Sequence, residues 1–427
     1  MKKVLIVTYY WPPSGGSGVQ RWLKFAKYFR DFGIEPVIYT AKTNYSIVDE
    51  SLSKDIPAGI EVIRTPILEP VNFLNFLGVK KNQNLGFLKP NPSLLGKILR
   101  YIRANFFIPD ARKFWIQPSV HFLKKYLKDH QIDTIITTGP PQSLHLIGLQ
   151  LKLQCNCKWI ADFRDPWTKI DYFQQLPMSK KTWEKHRELE KKVVQSADAV
   201  TVTSSALKND FLQFNKNTHV ITNGFDDESI SGPIQKDNFF SVTHIGLMNS
   251  SRNPAMLWEV IVNLLNNVEG FAESFKLRLI GKVDETVKQE IARFGIEKNV
   301  EIIDYVPHQE VAVYQKKTQV LLLIVNDIEH AEMIVPGKLF EYLHANNPII
   351  AIAPTQGDVA KIIEETHTGK TIEYGDKDML KQTLVNYYDA YKLGFLSVKD
   401  TNTAQFHRKM LTKKMATLVH DLSSTNI

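Results

Sequence analysis

Residues 2–41 read KKVLIVTYYWPPSGGSGVQRWLKFAKYFRDFGIEPVIYTA, and this stretch decides the fold class. KKVLIVTYY is a continuous apolar run, as expected of a parallel strand buried on both faces. The glycine loop SGGSG (14–18) follows, then an amphipathic helix, VQRWLKFAKYFRDFG, ended by Gly33, then a second strand, EPVIYTA. A strand, a glycine loop, a helix and a strand form the opening unit of a doubly wound α/β sheet. IDTIITTG (132–139), KWIADF (158–163) and AVTVTSS (199–205) read as further strands of the same series.

A second series starts beyond VITNGFDDES. FSVTHIGLM (240–248) is a strand, PAMLWEVIVNLLNNV (254–268) has helical spacing, and FKLRLIGK, VEIIDYV, QVLLLIVN and PIIAIAP are four more short apolar runs. Two α/β halves in tandem are the economical reading, and 427 residues with 43% hydrophobic content are enough for two cores. The join is expected near 223–231, where turn formers cluster. That gives domains at 1–225 and 226–403, with the final helix at about 404–427 assigned to the first.

The formal charge is 53 − 45 = +8, an excess that suits phosphates or an anionic lipid surface as well as a plainly soluble protein. Cys155 and Cys157 are the only cysteines, which excludes a disulfide framework and fits a reducing compartment. No run of 18 apolar residues occurs, so no membrane-spanning helix is expected; the expected location is cytoplasmic. Residues 68–118 fit neither series. Within them GVKKNQNLGFLKPNPS (78–93) is loop-like, and in the helix that follows Leu95, Ile98, Leu99, Ile102 and Phe106 share one face opposite Lys97 and Arg100. That face either packs on its own domain or meets an anionic membrane.

Several short motifs carry possible chemistry. The backbone at Gly15 and Gly16 either forms a tight turn or lets N–H groups approach an anion at a helix N-terminus. The loop is neither GxGxxG nor GxxxxGK[ST], which disfavours a dinucleotide site and a P-loop. TTGPPQSLH (137–145) turns sharply from strand to helix, with Thr138 or Ser143 as a cap and His145 near the carboxyl end of the strand, where open α/β sheets bind ligands. ADFRDPW (161–167) puts Asp162, Arg164 and Asp165 at another strand end. They either bind hydroxyls and developing charge or form a salt-bridged loop anchored by Trp167. HIGLMNSSRNP (244–254) repeats the pattern with Gly246 and with Arg252, a forked donor near a helix N-terminus. In VPGKLFEYLHANNPIIAIAP (335–354), Pro336 suits the first turn of a helix, Gly337 a close backbone approach, and Lys338 a phosphate at the helix end. Glu341, three residues on, faces the same side and can accept from two neighbouring hydroxyls, as on a ribose. A nucleoside diphosphate asks for that combination.

In order and with this spacing, YYWPPSGGSGVQR, TGPPQSLH, ADFRDPW, TSS, ITNGFD, HIG and PGKLFEYLHANNPIIA resemble the GT-B glycosyltransferases of the retaining family 4 group over nearly the whole length. The resemblance implies two Rossmann-like domains facing a cleft, with the last helix crossing back to the first domain. It also implies transfer of a sugar from a nucleotide-diphosphate donor to an acceptor hydroxyl, without a bound metal or other cofactor. The setting it implies is bacterial surface polysaccharide or lipid-linked glycan assembly at the inner face of a membrane. The partners would be a nucleotide sugar and a glycan or lipid-linked acceptor, not nucleic acid.

Carried over, Glu341 takes the ribose hydroxyls. Arg252 and Lys338, with the backbone at Gly15, Gly16 and Gly246, hold the diphosphate. His145 lies near the transferred sugar, and Asp162 or Asp165 near the acceptor. The DxD at Asp376 and Asp378 reads as surface. The family's paired glutamates, separated by seven residues, are broken here: the position eight before Glu341 is Met333, and Glu332 is the nearest substitute. Two other functions stay open at this point, a GT-B nucleotide-sugar epimerase and a non-catalytic nucleotide-sugar or glycan-binding subunit.

Overall fold

The computed structural model describes residues 1–43, 45, 47–68, 94–170, 173, 175–227, 232–304 and 306–424. The loop expected at 78–93 lies outside them. The chain divides into two compact units, Met1–Thr222 with Arg408–Ile427, and Asn223–His407.

The first unit is built on seven parallel strands: β1 Lys2–Val7, β2 Ile34–Lys42, β3 Glu61–Pro66, β4 Thr134–Gly139, β5 Lys158–Phe163, β6 Ala199–Val202 and β7 Thr218–Val220. Their order in the sheet is β3-β2-β1-β4-β5-β6-β7. The helices between them are α1 Ser17–Phe29, α2 Leu94–Phe106, α3 Ile116–Asp129, α4 Ser143–Cys155, α5 Lys180–Ser196 and α6 Ser205–Phe211. Because strand side chains alternate between faces, β1 feeds two cores. Leu5 and Val7 join Tyr39, Trp115, Leu123 and Trp159 on one side. Val4 and Ile6 join Trp22, Leu23 and Ile160 on the other.

The second unit has six parallel strands in the order β10-β9-β8-β11-β12-β13: β8 Phe240–Ile245, β9 Phe275–Ile280, β10 Val300–Ile303, β11 Val320–Ile324, β12 Ile349–Ile352 and β13 Gly369–Ile372. Its helices are α7 Ala255–Asn267, α8 Phe271–Ser274, α9 Glu285–Arg293, α10 His308–Lys317, α11 Lys338–Ala345, α12 Asp358–Thr366 and α13 Lys377–Lys392. The last helix, α14 Arg408–Ser424, belongs to the first unit. Its Leu411, Met415 and Val419 enter the same core as Trp22, and Lys409 pairs with Asp31 at 2.7 Å.

Both sheets reverse strand order once, between β1 and β4 and between β8 and β11. Loops leaving the carboxyl ends of those strands diverge, which opens a crevice where such sheets take ligands. The sequence motifs fall at these two places. The glycine loop follows β1 and the TGPPQSLH turn follows β4. Gly246 and Arg252 follow β8, and Glu332 and Lys338 follow β11.

Candidate functional sites

In the second unit the site is organised around Lys338. Pro336 and Gly337 lie just outside α11 and begin its first turn: Leu339 N donates to the Pro336 carbonyl at 3.0 Å and Phe340 N to that of Gly337 at 3.2 Å. Leu339, Phe340, Tyr342 and Leu343 are buried and bind the helix to β8, where the Tyr342 hydroxyl accepts from Ile245 N at 3.0 Å. Lys338 is therefore fixed at the helix N-terminus. Its Nζ is buried and has no hydrogen-bond partner among the described residues. It lies against Gly246, where a Cβ would stand only 2.8 Å away. Gly246 has φ 117°, a conformation glycine adopts freely and larger residues do not. Burial, and then the nearby Arg252, work against the ammonium charge. Glu341 opposes them, and the balance brings the lysine pKa down to about 7.

Arg252 is held in a loop by donation from Nε to Asn326 Oδ1 and from Nη1 to the Leu247 carbonyl at 3.0 Å. Asn326 is itself anchored, because Tyr374 donates its hydroxyl to the Asn326 carbonyl at 2.9 Å. Glu341 accepts from Gln315 Nε2 at 3.0 Å through one oxygen. His244, buried behind Lys338 on β8, is held neutral by burial first and by the charges of Lys338 and Arg252 next. Two cations, a helix N-terminus and a carboxylate thus share one end of this sheet. Such a group can accept an anion with a vicinal diol beside it. Met333 is buried. Glu332, with a side chain 42% exposed, is 3.6 Å from His330. Asp376 caps α13 by accepting from Met379 N at 3.0 Å, as an exposed residue at a helix start does.

In the first unit, the structure corrects three expectations. Asp162 is fully buried, and five donors saturate its carboxylate. These are Arg21 Nε at 3.1 Å and Nη2 at 2.8 Å, Trp22 Nε1 at 3.0 Å, Thr138 Oγ1 at 2.9 Å and Thr201 Oγ1 at 2.7 Å. Burial alone would raise its pKa, but the Arg21 charge and these hydrogen bonds outweigh it and hold the carboxyl below its ordinary range. Asp162 ties β5 to α1, β4 and β6 and offers nothing to a substrate. Gly15 N donates to the Ile47 carbonyl at 2.9 Å, and a Cβ on Gly15 would meet Ile47 at 2.9 Å, so that N–H is spent within the loop. Gly16, with φ 90°, has open space where its Cβ would be. Neither Thr138 nor Ser143 caps α4; Asp110 does, accepting from Ser143 N and Oγ, each at 2.8 Å.

His145 is fully buried in the first turn of α4 and stacks on Phe163 with ring centroids 4.3 Å apart. Burial, only partly opposed by Asp162, takes its pKa down to about 3, so the ring is neutral at any working pH. Asp165 differs from Asp162 in being 41% exposed at its side chain, 3.5 Å from Arg164. Arg164 lies over the glycine loop, with Nη1 2.7 Å from the Cβ position of Gly18. Trp167 is buried and donates to His186 at 3.1 Å, which anchors the ADFRDPW loop as the structural reading expected.

Two all-parallel Rossmann-like sheets in one chain, each with its polar side chains at the reversal of strand order, are the architecture of a GT-B glycosyltransferase. Residues 16–229 match the model of Glycosyltransferase Family 4, and residues 240–390 match that of Glycosyl transferases group 1. The chain belongs to glycosyltransferase family 4. Among curated proteins no sequence match was found. Sucrose-phosphate synthase from Thermosynechococcus elongatus has a similar structure, with a TM-score of 0.65 at 14% identity over 100% of both chains. HepE of Anabaena in complex with UDP and glucose gives 0.63 at 14% identity, over 98% of this chain and 100% of that one. A putative UDP-N-acetylglucosamine 2-epimerase from Listeria monocytogenes gives 0.55 at 11% identity, over 100% and 98%. At these identities the likeness is one of fold.

Proposed function

We propose that this glycosyltransferase moves a sugar from a nucleotide-diphosphate donor to an acceptor hydroxyl with retention of anomeric configuration and without a metal ion. The setting is bacterial surface polysaccharide or lipid-linked glycan synthesis. The observation that carries the reading is the buried, unpartnered ammonium of Lys338 at the N-terminus of α11. An ammonium kept from water without a partner is costly, and a bound diphosphate removes that cost. Lys338, Arg252 and the helix end then offset the charge that builds on the leaving diphosphate. Glu341, with one oxygen engaged by Gln315, uses the other for the ribose hydroxyls, and Glu332 reaches the sugar. In the transfer step the bond from the anomeric carbon to the phosphate oxygen breaks. The acceptor oxygen attacks from the same face, and its proton passes to the departing phosphate. His145 contacts the sugar, and Asp165, not Asp162, serves the acceptor. The likeness in fold to HepE, whose structure holds UDP and glucose, supports a UDP-sugar as the first donor to try.

The protein also works at a membrane surface. Leu94, Ile98, Tyr101, Ile102 and Phe106 of α2 are 76%, 49%, 50%, 39% and 63% exposed, and Lys97, Arg100 and Arg103 lie on the same helix. Apolar rings and aliphatic groups interleaved with basic side chains suit an anionic bilayer. No helix among the described residues is long and apolar enough to cross a membrane.

The test is a panel of UDP, GDP and ADP sugars in EDTA, followed by nucleotide release with and without glycan acceptors. Acceptor-dependent release in EDTA supports the proposal. Conversion of donor alone to an epimer, or binding without turnover under every acceptor, contradicts it.

A further inference from the structure

Helix α5 carries two sets of contacts on one face. Thr182, His186 and Glu190 recur every four residues along it, a spacing that puts all three on one side. At its first turn the contact is with α2. Asn105, near the end of α2, accepts from Ser179 N and from Thr182 Oγ1, each at 2.8 Å. It donates from Nδ2 to the Pro177 carbonyl and, within α2, to that of Tyr101, each at 2.9 Å. Its amide oxygen and both amide protons are thereby engaged. Ser179 is also the N-cap of α5, accepting from Thr182 N at 3.2 Å, so Asn105 grips the helix at its cap.

One and two turns further on, the same face holds the ADFRDPW loop. His186 Nδ1 accepts from the Trp167 indole N–H. Burial, and then Lys185, bring the His186 pKa down to about 4, so the ring stays neutral and keeps a lone pair for that donor. Glu190 accepts from Trp167 N at 3.2 Å and Thr168 N at 3.3 Å through Oε1, and from the Thr168 hydroxyl at 2.5 Å through Oε2. The other end of the loop is fixed by its backbone. Arg164 N donates to the Gly139 carbonyl at 3.1 Å, and the Arg164 carbonyl accepts from Thr203 Oγ1 at 2.8 Å. Asp165 lies between these two anchorages. Thr182 and Glu190 are eight positions apart, about 12 Å along a helix axis.

We propose that α5 is a rigid bracket between the lipid-facing helix α2 and the acceptor loop, with Asn105 and Thr182 at one end and His186 and Glu190 at the other. The bracket holds Asp165 at a set distance from the bilayer surface, so the acceptor is a hydroxyl borne by a membrane-bound molecule. The inference rests on the membrane and acceptor readings above. The partner of α2 is an anionic bilayer, because exposed apolar groups such as Ile98 and Phe106 share the helix with Lys97, Arg100 and Arg103. His186 and Glu190 are consumed by the loop and act on the acceptor through it, as positioning residues.

Hydrogen exchange of the whole chain with and without phosphatidylglycerol vesicles tests the bracket without an acceptor. Docked wild type is expected to exchange about threefold more slowly in α2 and also at 161–169, where the Trp167 and Thr168 amides bond to Glu190. Thr182→Val leaves every α2 residue in place; it should still sediment with the vesicles but confine the slowing to α2. Thr182→Ser, which keeps the hydroxyl, should behave as wild type. Wild-type slowing confined to α2 overturns the bracket even if Thr182→Val does not fold. Wild type left in the supernatant overturns the membrane reading instead, and the lipid end of the bracket with it. The acceptor end is tested by transfer. Glu190→Leu is expected to lower kcat/KM for the acceptor roughly tenfold, to leave the Kd of the bare nucleoside diphosphate (UDP, GDP or ADP) unchanged, and to be largely rescued by Glu190→Gln. Unchanged transfer, or parallel loss of nucleotide binding, overturns that role.

Discussion

Raising the pH from 7 to 9 should weaken nucleoside-diphosphate binding by about 50-fold, because binding has to recharge Lys338. In the free protein burial and Arg252 bring this lysine to about 7, so at pH 9 only about 1% of it carries a proton. A diphosphate against Nζ favours the charged form and returns the pKa toward its ordinary 10.4 or so. The sign follows. The free state loses its proton as pH rises through about 7 while the complex keeps it. Affinity is therefore full well below pH 7, is about halved at pH 7, and falls by about tenfold, or about 1.4 kcal/mol, per unit well above it. From pH 7, where half of the lysine is already neutral, to pH 9 that is about 2.3 kcal/mol. Nucleotide phosphates, with a second pKa near 6, are already ionised over this range and contribute little slope of their own. Calorimetric titration of UDP, GDP or ADP in two buffers of different ionisation enthalpy measures the effect directly. One proton taken up per ligand at pH 8 to 9 is the expected result. Lys338→Arg should flatten the profile, since a guanidinium stays charged throughout. A constant Kd from pH 7 to 9 with no proton uptake would refute the reasoning.

Other outcomes follow from the same contacts. Gly246→Ala puts a Cβ 2.8 Å from Lys338 Nζ at a φ of 117°; diphosphate affinity should drop at least tenfold in a titration. Glu341→Ala should cost about 1–3 kcal/mol of nucleotide affinity through the ribose, and equal affinities would end that assignment. Asp162→Ala leaves the buried Arg21 without its counter-charge, holding only the Ile221 and Thr222 carbonyls, and should cost about 3–5 kcal/mol, on the order of 10 °C in the melting temperature of this unit by calorimetry. Because Asp162 is held below its ordinary pKa, its contribution is present above the unfolded value near 3.9 and is lost as pH falls through the folded value. Wild type should therefore lose more stability on acidification than Asp162→Ala does. Wild type should sediment with anionic vesicles at low salt, and Ile98→Ser with Phe106→Ser should abolish it; wild type left in the supernatant refutes the membrane reading.

The fold was legible where burial is continuous along the chain. β5 coincides with KWIADF, residue for residue, because Trp159, Ile160, Ala161 and Phe163 are buried, as in a strand covered on both faces, and the one buried charge among them, Asp162, is paired with Arg21. β3 was not read, since its side chains are mostly half-exposed or exposed and alternate with polar residues at the sheet edge. β7 and β13 are only 3 and 4 residues long, too short for a period to show. The polar sites divide along a similar line. Lys338 and Glu341 sit three apart on one helix, a spacing visible in the sequence. The saturation of Asp162 was not visible, because its partners stand 141, 140, 24 and 39 positions away. The same holds for Asp110, which caps α4 from 33 positions upstream.

Everything asked of the second unit depends on the Lys338 ammonium meeting a phosphate. Calorimetric affinities of wild type and Lys338→Met at pH 7, for a nucleoside diphosphate and for the matching nucleoside, isolate that contact. The expected result is that wild type strongly prefers the diphosphate and that the methionine variant loses most of the preference while binding the nucleoside as before. If Lys338→Met holds the diphosphate as tightly as wild type, the buried lysine serves the fold and not the donor.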